Sequence, residues 1–112
     1  MSRRRVVVTG MGMLSPLGLD VAQSWSGVLA GKSGISAIEH MDVEAFSTRF
    51  GGSIKNFDIE QYMPAKDARR LDLFIQYGLA AGLQAIQDSG LEVTDANRER
   101  IGVVMGSGIG GL

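Results

Sequence analysis

Two glycine-rich segments are where this chain could hold a ligand. Thr9-Gly10-Met11-Gly12-Met13-Leu14-Ser15 follows a β-branched run and precedes a helical pattern. In a dinucleotide site, bare glycines admit a pyrophosphate at a helix amino end. Here Ser15 stands where the third glycine belongs. Pro16 and Gly18 delay the helix to about Asp20, and residues 36–42 offer no strand ending in an acidic ribose ligand. We read the loop as a tight strand-turn-helix connection. A non-catalytic nucleotide-binding module using Gly10 and Gly12 stays open as the second reading. Gly106-Ser107-Gly108-Ile109-Gly110-Gly111 also follows a β-branched run, but Leu112 stands where a phosphate loop needs Lys. Such a loop lets a substrate chain or another backbone pass closely. From the residues alone, a structural role is the commoner meaning. Ser107 has no His or Asp partner in sight, so it is not read as a nucleophile.

Charge offers one further feature. Lys66, Arg69 and Arg70 fall at i, i+3 and i+4 of a helical pattern and form a basic stripe. A solvated helix end is the commoner meaning of such a run. Cations at a helix amino end oppose its dipole, however, which favours a use such as an acidic partner. A small interaction domain with this stripe as its docking face is therefore a third reading. The single His, His40, is expected on a loop or surface. With 0 Cys among 112 residues there is no disulfide, thiolate metal site or cysteine nucleophile in the chain.

Composition sets the frame for these residues. Apolar types make up 45% and charged types 21%, the balance of a globular protein. Lys and Arg number 11 against 12 Asp and Glu, a net charge of −1, which argues against a nucleic-acid binder. Arg3-Arg4-Arg5 ahead of Val6-Val7-Val8 has the form of a signal n-region. Thr9-Gly10 breaks the apolar run and no small-residue cleavage site follows, so a signal peptide is not expected. No segment reaches the roughly 20 apolar residues that span a bilayer. The expected location is cytoplasmic.

The elements follow from periodicity and punctuation. Arg5 to Met13 reads as a buried strand, and Ser15-Pro16-Leu17-Gly18 as a turn. Asp20 caps a helix with Gln23 as its capping-box partner. Val21, Trp25, Val28 and Leu29 share one face of that helix, and Gly31 and Gly34 end it by tolerating left-handed backbone. Thr48 to Ile54 reads as a short strand bent at its glycines. Pro64 opens the longest helix, about Ala65 to Ser89, which Gly90 stops. Thr94 to Arg100 is a polar helix or turn, and Ile101 to Met105 a second buried strand. From Leu73 to Gln87 no residue is charged. A surface helix would show a polar face; this one offers only Gln76, Tyr77, Gln84 and Gln87, with Gly78, Gly82 and Ala85 making one side small. It should be covered on more than one side, which needs layers beyond two strands and two helices. Together with the final glycine-rich loop, this makes residues 1–112 the expected amino-terminal piece of a larger α/β protein.

These segments resemble a known family in order along the whole chain. Val6 to Gly18 is similar to the opening strand and turn of the β-ketoacyl-acyl-carrier-protein synthases, as is Gly31-Lys32-Ser33-Gly34-Ile35. Phe74-Ile75-Gln76-Tyr77-Gly78 resembles the long helix of the elongating type II condensing enzymes, and Ile101-Gly102 with Gly106 to Gly111 their next strand and loop. The resemblance implies a thiolase-like αβαβα layered fold and a homodimer without metal or redox cofactor. It implies acyl transfer from acyl carrier protein to a Cys, then decarboxylative condensation with malonyl-carrier protein, with two His stabilising the oxyanion. The chain has no Cys, and His40 lies outside any matching motif, so no catalytic residue is carried over. The resemblance places substrate binding on Gly108 and Ile109. It places carrier docking on Lys66, Arg69 and Arg70. It implies no nucleic-acid or membrane partner.

Overall fold

The structure, a computed structural model, describes residues 2–112. Three helices and one small hairpin form in the order α1 (Val21–Leu29), β1 (Ile35–Ala37), β2 (Phe50–Gly52), α2 (Ala65–Ala68) and α3 (Leu73–Ser89). Single 3₁₀ turns at Ile59–Gln61 and Arg98–Arg100 complete the regular structure.

Helix α1 is bounded as its local chemistry demands. Asp20 Oδ1 accepts from the Gln23 N–H at 2.7 Å, while Gln23 Oε1 reaches back to the Leu19 N–H at 3.0 Å. This is a capping box displaced by one residue. At the other end Gly31 is left-handed at φ 67°. Its N–H donates to Val28 O and that of Lys32 to Gly27 O, each at 3.0 Å, the Schellman pairing. Gly34 does not share this role. It abuts Pro16, whose Cβ would lie 2.6 Å from a side chain placed there. Before α1, Ser15 and Gly18 exchange both backbone hydrogen bonds as the turn requires.

The hairpin pairs antiparallel with Ile35 opposite Gly52 and Ala37 opposite Phe50. The expected strand at residues 48–54 is thus real but three residues long.

The expected helix from Ala65 to Ser89 is two helices. Pro64 opens α2, and Asp72, extended at φ −60° and ψ 156°, breaks the run before α3. Leu71 N–H turns back to Ala68 O at 2.9 Å in the break. Gly90, left-handed at φ 68°, ends α3 as read.

Both expected buried strands are corrected. Residues 5–13 and 101–105 carry no strand pairing. The first segment lies along α3 instead. Met11 N–H donates to Asp88 Oδ2 at 2.9 Å and Met13 N–H to Gln84 Oε1 at 3.1 Å. A step of two residues on the segment matches a step of four on the helix, in the opposite direction. Two extended residues cover about 6.6 Å and four helical residues about 6 Å, so the segment is extended and antiparallel to α3. Its strand-forming side chains find no sheet: Val6 is 94% exposed, and Val104 in the second segment 96%. A β-branched run becomes a strand only beside another strand.

The core is correspondingly thin. Ala68 and Ala80 are the buried apolar side chains, and no large side chain is fully buried among the described residues. Phe57 stacks with Tyr62 at 6.2 Å and meets the Tyr77 ring edge-on at 5.0 Å. The radius of gyration is 17.5 Å, where a compact domain of this length has about 13 Å. Cover on α3 is partial: the 5–13 segment lies on one side, and Leu73, Phe74, Ile75, Leu83 and Ile86 keep exposed surface.

Candidate functional site

The Gly10-Met11-Gly12 segment is a packing device. A Cβ on Gly10 would lie 2.8 Å from Ser89 Cα, and one on Gly12 2.8 Å from Ala85 N. The bare glycine faces that a pyrophosphate would need are occupied by the backbone of α3. The nucleotide-loop reading therefore finds no cradle here.

The second glycine-rich segment is held at one end and free at the other. Gly110 is left-handed at φ 78°, and a Cβ there would lie 3.1 Å from Phe74 Cζ. At Gly111 a Cβ would lie 2.9 Å from Asp72 Cγ. Asp72 and Phe74, at the start of α3, thus seat Gly110 and Gly111. Around Gly106 and Gly108 there is open space. Ile109 stands between the seated and free parts, 77% exposed.

Beside this loop is an apolar groove of about 470 Å³ bounded by Phe74, Gly78, Gly82, Ile86, Val103 and Met105. Gly106 and Ser107 form part of its rim, and Ile109 lies outside its lining. The small side of α3 is therefore where apolar volume is left open. Met105 Cε reaches toward Gly78, and nothing lies within 4 Å of a Cβ on Gly82.

Lys66, Arg69 and Arg70 gather on α2 and the turn after it, all exposed. Among the described residues the one ion pair is Arg98 with Asp95 at 3.4 Å, so the three cations are not matched by Asp67 or Asp72. The stripe is a basic turn rather than the first turns of one long helix. His40 is exposed beside a more polar cleft with Glu39, Lys55 and Asn56. Burial pushes the Tyr77 phenol, at the edge of the same cleft, above its ordinary value of 10.0.

A profile of the β-ketoacyl synthase N-terminal domain matches residues 3–112. The chain belongs to the β-ketoacyl synthase family. It is 68% identical over 112 residues to 3-oxoacyl-[acyl-carrier-protein] synthase 2 of Vibrio cholerae serotype O1, covering 100% of this chain and 27% of that one. It is 47% identical over 109 residues to the Staphylococcus aureus (strain N315) protein of the same name, covering 97% and 26%. Among solved structures it is similar to the ishigamide ketosynthase/chain length factor, with a TM-score of 0.72 and 33% identity over 81% of this chain and 23% of that one. The fold is thus α/β and of the ketosynthase, thiolase-like kind. The chain spans about a quarter of the length of the curated relatives it matches.

In this β-ketoacyl synthase region the sequence had marked the loop and the basic turn but missed the residues that hold them. Asp72 and Phe74 seat the loop. Gln76 reaches back to Ala68 and Leu71 beside the basic turn, and Gln84 joins Met13, Leu19 and Tyr62 to α3. The signal for the last two was present. They are amides eight residues apart in the uncharged stretch 73–87 of α3, where a polar group needs a partner.

Proposed function

We propose that this chain is the amino-terminal part of an elongating 3-oxoacyl-acyl-carrier-protein synthase of fatty-acid synthesis. The observation that carries the reading is the 68% identity along the chain to a relative of that name. In the proposed reaction an acyl chain moves from acyl carrier protein to a Cys thiolate. Malonyl-carrier protein then loses carbon dioxide, and the resulting carbanion attacks the thioester. Two His donors stabilise the oxyanion. The Cys and both His are supplied from outside these 112 residues. The enzyme works as a cytoplasmic homodimer. In the described residues no helix is long and apolar enough to cross a membrane.

Within this scheme the chain supplies binding. Gly108 and Ile109 border the acyl chain: Ile109 is a bulky side chain on a bare loop, free to turn because its neighbours lack side chains. Lys66, Arg69 and Arg70 meet an acidic face of the carrier protein. Their exposure and lack of acidic partners support this, since unpaired surface cations steer association. The test is carbon dioxide release from malonyl-carrier protein by the full-length synthase, with Arg69→Glu plus Arg70→Glu as the variant. The expected result is a raised KM for carrier-bound substrate with short thioester analogues unaffected. Equal loss with both substrates would point to misfolding instead.

A further inference from the structure

The break between α2 and α3 is spanned by one side chain. Gln76, in the first turn of α3, donates from Nε2 to Ala68 O at 3.2 Å and to Leu71 O at 3.1 Å. Both partners are carbonyl oxygens, so only the amide NH₂ can satisfy them. Ala68 is the last residue of α2, and Leu71 lies within the break. Carbonyls at a helix end lack intrahelical donors; the Leu71 N–H serves Ala68 O within the break, and Gln76 adds a second donor there and serves Leu71 O from the next helix. Helix α2 has four residues, too few to hold its shape alone. Besides the Leu71 N–H bond to Ala68 O, its pose against α3 draws on the buried Ala68 side chain and on this amide. Lys66, Arg69 and Arg70 all lie on the α2 side of that joint.

We propose that Gln76 is a positioning residue for carrier recognition: it fixes the basic turn in one orientation relative to α3, so that three separate cations present one surface to the acidic partner. The proposal rests on the docking reading above. Long basic side chains on a loosely held turn still attract an acidic protein. They engage fewer of its charges at once, because each arrangement must be selected on binding.

The experiment compares full-length synthase carrying Gln76→Glu or Gln76→Met with the parent. Gln76→Glu sets a carboxylate against two carbonyls at nearly unchanged size. Gln76→Met keeps the packing and removes the donor. Kinetics are measured with carrier-bound acyl substrate and with a short acyl thioester lacking the carrier, across a salt series. For Gln76→Glu the carrier-bound KM is expected to rise about five- to tenfold, the scale of losing one or two neutral hydrogen bonds, with a smaller rise for Gln76→Met. Both variants should flatten the salt dependence of carrier-bound kcat/KM and leave the short thioester unchanged. Parallel loss with both substrates would make Gln76 merely structural and overturn the proposal. An unchanged carrier KM overturns it alone if Arg69→Glu plus Arg70→Glu still raises that KM. If the charge reversal is also silent, the docking reading falls and takes this one with it.

Discussion

Met13 and Gln84 stand 71 residues apart in sequence, yet the Met13 N–H donates to Gln84 Oε1 at 3.1 Å. The same amide donates from Nε2 to Leu19 O at 2.7 Å and to the Tyr62 hydroxyl at 2.8 Å. One side chain thus ties the first segment, the entry to α1 and the Phe57–Tyr62–Tyr77 aromatic cluster to α3. Replacing it by Leu keeps the bulk and strands three polar groups. Each such group costs about 1–3 kcal/mol where water cannot replace the partner. Met13 is an exposed residue, so water can partly replace this partner and the loss should fall near the lower end. Denaturant midpoints of full-length synthase with and without Gln84→Leu measure it, and an unchanged midpoint would contradict the role.

Gly12 and Gly31 separate two reasons for glycine. Gly31 has open space but a left-handed backbone, so Gly31→Ala should cost about 1–2 kcal/mol of conformational strain. Gly12 has no such φ, but its missing side chain makes room for the backbone of Ala81 and Ala85. Gly12→Ala must push the segment off α3 and should destabilise more than Gly31→Ala. Thermal melts of the two full-length variants decide the order.

What could be read from the sequence was the chemistry that a few neighbouring residues complete among themselves. Asp20 needs only Gln23 three positions on, and Gly31 and Gly90 need only their own backbone freedom. The joint at Asp72 was hidden because no Pro or Gly interrupts residues 65–77, and the Gln76 bonds to Ala68 and Leu71 that span the break exist only in the folded chain. The valine runs read as strands because β-branched residues favour them, but Val6 and Val104 have no sheet beside them in this structure. The loop at Gly106 to Gly111 was visible as an absence of side chains. Its seat, Phe74 under Gly110, depends on a contact between residues far apart in sequence.

The exposed apolar surface predicts how the 112-residue chain behaves alone. Val6, Val8, Val103, Val104 and the open side of α3 together exceed what soluble monomers usually leave uncovered. The isolated chain should bind a hydrophobic dye and self-associate, with a broad thermal transition. It should also release no carbon dioxide from malonyl-carrier protein, since it has no Cys. A sharp melt with a monomeric sedimentation profile would contradict the first expectation, and turnover above buffer the second.

Tyr77 gives an alkaline signature. Desolvation favours its neutral phenol and raises its pKa in the folded state. The folded protein then holds that proton more tightly than the unfolded chain. The contribution is present below the unfolded value of about 10 and is lost as pH rises through the raised folded value. Stability measured against pH should therefore fall less steeply at the alkaline end in Tyr77→Phe than in the parent. Identical slopes would mean that the phenol is as well hydrated folded as unfolded.

Ile109 is the residue on which the loop's proposed role turns. Phe74 and Asp72 fix Gly110 and Gly111, while Gly106 and Gly108 meet nothing, so motion of the loop should concentrate on the Gly106 side of Ile109. Gly106 and Ser107 border the neighbouring groove, so motion on that side carries part of the groove's rim along with the Ile109 side chain. Ile109→Phe adds bulk at the swinging point, and where the proposed acyl site of the full-length synthase closes around it the overpacking should cost about 1–3 kcal/mol. The penalty should fall on acyl chains long enough to reach the ring and spare the shortest, which acylation rates against chain length will display in the full-length synthase. Phe74→Ala should act in the opposite sense. Freeing Gly110 lets the loop yield, so the double variant should recover part of the long-chain rate. A uniform fall across all lengths, or none, would return Ile109 to a structural role.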